Sequence, residues 1–477
     1  MRSTIVRLSG VSIRNFKNVK MGDLTFNNPR KNYRASVLGL YGQNGSGKTA
    51  LIDVMQILKS ILCGKAVDSE VADYINVDAQ YASLKYDFDV LTSLGSYKCC
   101  YECCLRGEED FDDSVLPHEE DHEKRMRVVI FNEILSYSFD GQGNKIRKSR
   151  FIDTCTDEVF VPTVKYDVLV GKTDEVKMNL LVAKKLAEQT SRTFVFSKEL
   201  LNEARRHAEA SGDNIEYMRH MCLLESLLYY GKYELFVIDA SSAGVISLNY
   251  LPLAFKIEEK KKRAAGVTLI PLEEPTVIRK ETVEIVEKVI KNMNIVLEQL
   301  VPGLTICLMD LGDQSTKNGY IGKRIQLMSC KNSKEIPLKY ESDGIKKIIM
   351  ILQLLISVYN QDSVTVAIDE LDSGIFEYLL GEMMRIVSEK GKGQLIFTSH
   401  NLRPLETIDR GFIAFTTTNP SKRYVRMINV KNNNNLRDFY YRDIVLGVQD
   451  QNEELYEPTQ NEEIALAFRE AGEMSAS

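Results

Sequence analysis

Apolar and polar residues alternate along the first stretch of the chain, with Val6, Leu8, Val11 and Ile13 on one face. This period of two predicts a half-buried strand running into Asn15-Phe16-Lys17-Asn18-Val19, and a second strand at Asp23–Phe26. A polar loop at Asn28–Arg34 separates these from Ala35, Val37, Leu38, Leu40 and Tyr41, a fully buried strand. Leu51, Ile52, Val54, Met55, Ile57, Leu58 and Ile61 then recur at helical spacing. Period two returns at Leu84–Val90 and Tyr97–Leu105, a hairpin around Ser93-Leu94-Gly95-Ser96. Strands at Arg127–Leu135 and Ser136–Phe139, turned by Asp140–Asn144, complete an antiparallel meander.

From about 172 to 232 the pattern becomes helical, in three segments marked by Leu180–Ala187, Leu200–Ala210 and Tyr217–Tyr230. Strand patterns follow at Leu235–Ile238 and Ile246–Leu251. A long helix is predicted from Thr276, just after Pro275, to Leu300, where Pro302-Gly303 stops it. An apolar helix at Ile348–Val358 leads to short apolar strands at Val364–Ile368 and Gln394–Thr398. A closing hairpin (Gly411–Thr417 and Tyr424–Val430), a polar turn at Asn432–Asn435 and an acidic tail with a helix near Glu462–Ala471 finish the chain. No internal repeat and no sustained heptad run is present.

Composition adds limits rather than direction. Of the 477 residues, 44% are hydrophobic and 27% are charged. That is enough for a large core in a few domains. A net charge of −6 excludes a uniformly basic nucleic-acid coat, while leaving room for a local basic groove. No apolar run reaches the ~18–20 residues that span a bilayer. With no signal-like apolar segment at the N-terminus, a cytoplasmic location without membrane contact is expected. The nine cysteines fall mostly in apolar stretches and are expected to be reduced and structural.

Chemistry enters between the buried strand and the helix that follows it. Gly42-Gln43-Asn44-Gly45-Ser46-Gly47-Lys48-Thr49 fits the phosphate-loop pattern at every constrained position. Backbone N–H groups of such a loop form a nest for anionic oxygens, and the helix N-terminus adds its positive end. Gly42, Asn44, Gly45, Ser46 and Gly47 would cradle the phosphates of a nucleoside triphosphate. Lys48 would reach the β- and γ-phosphates, and the Thr49 hydroxyl would hold Mg²⁺. Far downstream, Asp369 and Glu370 close the apolar strand Val364–Ile368. Adjacent carboxylates there are costly without a cation, so Asp369 is expected at the metal and Glu370 at the attacking water. His400, just past the strand Gln394–Thr398, is placed to sense a γ-phosphate. Ser342 and Gly344 begin the helix Ile348–Val358 and offer a second anion-binding helix terminus. Two such sites in one chain suggest a nucleotide held between two subunits.

In order and spacing these motifs resemble the ABC-type ATPase head shared by SMC proteins, break-repair ATPases and the OLD family of bacterial defence ATPases. The resemblance is strong over residues 1–60 and 320–415. It implies Walker A at Gly42–Thr49, Walker B at Asp369-Glu370, the D-loop at Asp372 and the switch at His400. Glu341-Ser342-Asp343-Gly344 stands where the signature would be, in an E-S-x-G form that departs from the transporter pattern L-S-G-G-Q. Gln80 is the candidate for the Q-loop. The opening I-x-N-F-K strand and the S-H-N ending are similar to the defence group. The fold so implied is an α/β ABC-ATPase head, a mixed, largely parallel sheet around the phosphate loop with an antiparallel meander and a helical insertion. Its expected divisions are 1–170 and 236–430 as ATPase lobes, 171–235 as the insertion, and 431–477 as a docking tail.

The absence of heptads between the motifs argues against a cohesin-like rod. The stretch from Asn401 to Ser477 is too short for the Toprim nuclease domain of full OLD proteins. The implied function is an ATP-hydrolysing head that dimerises, or forms higher assemblies of dimers, around ATP and Mg²⁺. It would act as the sensor of an anti-phage system that governs a separate toxin or nuclease. A DNA-repair ATPase is the alternative, which keeps nucleic acid open as a partner.

Other stretches carry less. His118-Glu119-Glu120-Asp121-His122 matches H-E-x-x-H but sits in an acidic run without the apolar helix face that zinc proteases use. Cys99-Cys100-Tyr101-Glu102-Cys103-Cys104 splits between two strand faces and reads as packing. Lys260-Lys261-Lys262-Arg263 follows Glu258-Glu259 and reads as a solvated turn.

Overall fold

The computed structural model describes residues 4–28, 34–109, 126–141, 143–208, 212, 214–239, 250–259, 262–315, 321–331, 334–426, 436–438, 440–441, 455 and 461–474. The His118–His122 stretch, Lys260-Lys261, residues 246–249 and the Asn432–Asn435 turn lie outside these residues. Among the described residues, no helix is long and apolar enough to cross a membrane.

Two six-stranded sheets organise the chain. The first is antiparallel and contains β1 (Ile5–Phe16), β2 (Val19–Thr25), β4 (Ala82–Leu91), β5 (Ser96–Glu109), β6 (Met126–Gly141) and β7 (Asn144–Asp153) in the order β2-β1-β4-β5-β6-β7. The second contains β3 (Ser36–Tyr41), β8 (Leu235–Ile238), β15 (Thr365–Ile368), β16 (Gln394–Thr398), β17 (Ile413–Thr416) and β18 (Tyr424–Val425) in the order β18-β17-β3-β16-β15-β8. All its pairings are parallel except β17 with β18.

The parallel strands are buried on both faces, which is why they read as unbroken apolar runs. Leu38, Leu40, Val237, Ala367, Ile396 and Ala414 face one core, shared with helix α1 (Lys48–Leu62), the antiparallel sheet and the helices between 163 and 233. Val37, Phe236, Val366, Ile368, Leu395 and Phe397 face the other, shared with the helices Lys280–Leu300, Asp343–Asn360 and Glu377–Lys390. Helix α1 lies between the sheets and buries residues around most of its circumference. A Cβ on Gly231 would come within 2.3 Å of Leu62 Cβ, so glycine sets this close crossing with the helix Ile215–Tyr233.

The two sheets are stitched at one edge. Strand β2 pairs with β1 only from Gly10 onward, leaving the earlier backbone of β1 without a strand partner on that side. Side chains from the parallel sheet's surroundings fill the gap. Gln394 accepts from Leu8 N–H at 2.8 Å and donates to Leu8 C=O at 2.8 Å, as a neighbouring strand would. Ser363 Oγ accepts from Val6 N–H at 3.0 Å, and its single proton is shared between Val6 C=O (3.2 Å) and the Glu234 carboxylate. The buried Arg7 guanidinium donates to the carbonyls of Asp362, Lys392 and Arg34.

Several expectations change. The long helix begins at Lys280, because Thr276–Arg279 pairs as β11 with β13 (Ile321–Lys331). Arg127–Leu135 and Ser136–Phe139 are one strand, β6, with a left-handed residue at Asn132 (φ 51°) where its register against β5 shifts. The hairpins β9 (Tyr250–Glu259) with β10 (Lys262–Pro271), and β12 (Leu304–Ser315) with β13, were not foreseen in full. Strand β12 leaves the core after Ile306, so its outer part carries no period-two signal. Cys99, Tyr101 and Cys103 do face the core, and the thiols are free.

Replacing Gln394 with Leu keeps the volume but orphans two buried backbone groups, at roughly 1–3 kcal/mol each. Gln394→Leu is therefore expected to lower unfolding free energy by about 2–6 kcal/mol. Urea denaturation followed by circular dichroism measures this, and an unchanged midpoint would refute the stitch.

Candidate functional site

Parallel pairing sends β3, β8, β15 and β16 in one direction, so their C-terminal ends share one edge. At that edge lie Gly42–Thr49 after β3, Asp239 after β8, Asp369-Glu370 after β15, and Ser399-His400 after β16. This brings the phosphate loop and the distant acidic pair together.

The loop is held from outside and open within. Gly42 (φ 157°) has Thr416 so close that a Cβ would lie 1.7 Å from its Oγ1. Gly45 (φ 73°) and Gly47 (φ 95°) use the left-handed region that glycine tolerates. Ser46 Oγ donates to Gln43 C=O, and Tyr424 OH donates to Gly47 C=O at 2.9 Å. The Asn18 amide bonds Gly45 C=O, tying the β1–β2 turn to the loop. Lys48 Nζ curls inward and donates to the carbonyls of Gly42 (2.8 Å) and Gln43 (3.0 Å). Burial lowers its pKa, against the opposing pull of Asp369, Glu370 and Asp372.

Asp369 is 4% exposed. Burial raises its pKa and the neighbouring Asp239 and Glu370 push the same way, while hydroxyls of Thr398 and Thr49 bond it and push back. Thr398 accepts from Glu370 N–H at 2.8 Å while donating to Asp369, so one hydroxyl positions both acids. Glu370 is exposed and adopts a left-handed backbone (φ 47°), an unfavourable conformation for a residue with a side chain. Its C=O accepts from Lys347 Nζ on the helix Asp343–Asn360, which fixes the other side of that residue.

Ser342 caps the helix Asp343–Asn360 by accepting from Ile345 N–H, and its side chain is exposed. The helix start packs on the segment after Glu370, since a Cβ on Gly344 would lie 2.1 Å from Gly374 C=O. Ser342 and Gly344 thus sit beside the acidic pair's trailing segment, and the loop's own bonds run to Asn18, Thr416 and Tyr424. Asp372 Oδ2 accepts from His400 N–H (3.2 Å) and Asn401 N–H (3.0 Å), and its buried Oδ1 has no hydrogen-bond partner among the described residues. His400 is exposed at this edge. Gln80 lies in the segment between Tyr74 and β4, ahead of the meander.

Thr398, Thr416, Asp239, Lys347 and Asn18 escaped the sequence reading. Only Thr398 carried a local signal, as the polar end of an apolar strand. The others depend on pairings between remote segments.

A Mg²⁺ ion fits the donor set. Thr49 hydroxyl and Asp369 carboxylate are hard oxygen donors close enough to influence one another, and a divalent charge would offset the burial of this carboxylate beside two further acids. The left-handed glycines and the inward Lys48 fit a polyphosphate in the loop.

No family model matches the sequence, and no curated protein matches it. Solved structures with some likeness include the Smc head domain with an extended coiled coil, from Pyrococcus furiosus and bound to the C-terminal domain of ScpA. It has 12% identity and a TM-score of 0.39 over 89% of this chain and 96% of that one. The SMC head domain from Thermotoga maritima gives 12%, 0.34, 88% and 99% for the same measures. The recombination mediator RecF with ATP gives 12%, 0.33, 83% and 94%.

One turn along α1 from Thr49, Asp53 is 9% exposed and bonded by Lys17, yet burial raises its pKa from 3.8 to about 6. A raised folded-state pKa means the folded chain binds the proton more tightly than the unfolded chain. The resulting stability is full below about 4 and lost as pH rises through about 6. Asp53→Asn is expected to remove this component, so the wild-type minus variant difference in Tm falls between pH 4 and 6. A flat difference would refute it.

Proposed function

We propose that this chain binds and hydrolyses ATP with Mg²⁺ as an ABC-type head, and that two copies close around the nucleotide. The observation that carries the reading is the parallel register that brings the phosphate loop after β3 and the Asp369-Glu370 pair after β15 to one edge, with Thr398 bonding both acids. Gly42–Gly47 offers backbone N–H groups, and Lys48 exchanges its bonds to Gly42 and Gln43 for phosphate oxygens. Asp369 and Thr49 would hold the metal, whose charge would offset that of the phosphates. Glu370, kept in one backbone conformation by Thr398 and Lys347, orients the attacking water and accepts its proton. His400, held by Asp372 through its backbone, stands where it can read the terminal phosphate.

Dimerisation accounts for two further features. Ser342 caps a helix whose N-terminus faces solvent and is free to meet a nucleotide bound by another copy. Around it Tyr340 is 68% exposed, Phe376 71% and Tyr378 58%. Aromatic surface of this kind is what interfaces cover. The resemblance of the E-S-D-G segment and of the N-F-K and S-H-N motifs to defence ATPases supports the finer reading. In it, the closed pair is an anti-phage sensor that restrains or licenses a separate toxin or nuclease.

Lys48→Ala is expected to weaken ATP binding by tenfold or more, read by isothermal calorimetry with ATP and Mg²⁺. Glu370→Gln should bind ATP normally, lower kcat by about 10²–10⁴, and accumulate as an ATP-dependent dimer in light scattering. Normal turnover by Glu370→Gln would remove it from the catalytic role. Hydrolysis stimulated by DNA and indifferent to any effector would replace the sensor reading with a DNA-processing one.

A further inference from the structure

Outside the residues of the candidate site, two thiols and a carboxylate converge on the three-stranded stretch β12, β13 and β14 (Lys334–Pro337). Cys307 Sγ and Cys330 Sγ are 2.9 Å apart, and with a Glu335 carboxylate oxygen they all lie within 4.8 Å of one another. Both cysteines are half-buried and Glu335 is exposed, so the cluster is open to solvent on one side.

The strand register explains the convergence. Cys330 lies opposite Glu335 on β14 and opposite Thr305 on β12, while Cys307 lies opposite Met328. Cys307 and Cys330 are therefore diagonal neighbours on one face. Diagonal positions are about 7–8 Å apart at Cα, beyond the roughly 4.4–6.8 Å that disulfides usually span. A tetrahedral zinc with bonds of about 2.3 Å separates two thiolates by roughly 3.8 Å, which a small opening of the present contact supplies. The geometry points to a binding site for a thiophilic divalent cation such as Zn²⁺, with Cys307, Cys330 and Glu335 as ligands and water completing the shell.

Uptake converts the two thiols to thiolates and releases their protons to solvent, with no redox change. The ion would clip three strands at once. Ser329, next to Cys330, donates to Glu341, and β14 leads through Leu338–Tyr340 to the Ser342 cap. Clipping here would stiffen the strand that presents Ser342.

The test uses the purified full chain, reduced, incubated with Zn²⁺ and desalted, with bound metal measured by mass spectrometry. One equivalent is expected in the wild type and in Cys155→Ser, and it should be lost in Cys307→Ser/Cys330→Ser. Co²⁺ should give a thiolate charge-transfer band in the wild type that the double variant lacks. If the double variant misfolds by circular dichroism, Glu335→Ala decides, since its site is exposed. Its Co²⁺ affinity should fall about tenfold or more, given that even outer-shell partners are worth roughly 10–100-fold. Metal retained by a folded double variant, no metal in the wild type, unchanged affinity in Glu335→Ala, or a Cys307–Cys330 disulfide in the reduced preparation would each overturn the proposal.

Discussion

The parallel register of β16 between β3 and β15 is the constraint from which the candidate site follows. Leu395 pairs with Val37 on one side and with Val366 on the other, so three strand ends finish level. Each strand is fully buried, and a one-residue slip would turn its side chains from one core to the other. Register is therefore held by two hydrophobic cores together. The chemistry at the strand ends inherits that precision without needing its own scaffold.

Charge at this edge is poised rather than neutralised. Burial disfavours the charged forms of Lys48, Lys347 and Asp369 alike. Their attraction across the edge offsets part of that cost, and the Thr398 and Thr49 hydroxyls offset more. Such an arrangement gains most when a polyanion and a divalent cation arrive as a pair, because each satisfies groups the other leaves exposed. Asp372 Oδ1, without a partner among the described residues, and the left-handed Glu370 belong to the same edge, where strain and unmet bonding concentrate.

Much of this was legible in the residues. The phosphate loop, its strand and its helix were visible because the glycine spacing and both hydrophobic periods agree locally. Asp369 and Glu370 were visible because two acids end an apolar run. Ser342 showed itself as a cap ahead of an apolar helix. What stayed hidden depends on contacts between remote segments. Nothing near Gln394 announces that its amide will serve as a strand for Leu8, and nothing near Thr416 says it will back Gly42. Thr276–Arg279 was misread as helix because Pro275 is a common helix opener and the pairing that extends the segment comes from residues 322–325. The Cys307–Cys330 convergence was invisible for the same reason, since part of each thiol's surroundings lies on another strand.

The position of β3 in its sheet also bears on how the chain is made. Residues 36–41 gain both their strand neighbours only from 394–398 and 413–415. During synthesis the phosphate-loop sequence leaves the ribosome early, yet its strand has no partner until most of the chain has followed. The antiparallel sheet, whose strands neighbour one another between 82 and 153, can form long before. An apolar strand whose neighbours lie so far along the chain is the kind of segment that exposes a partly made protein to aggregation.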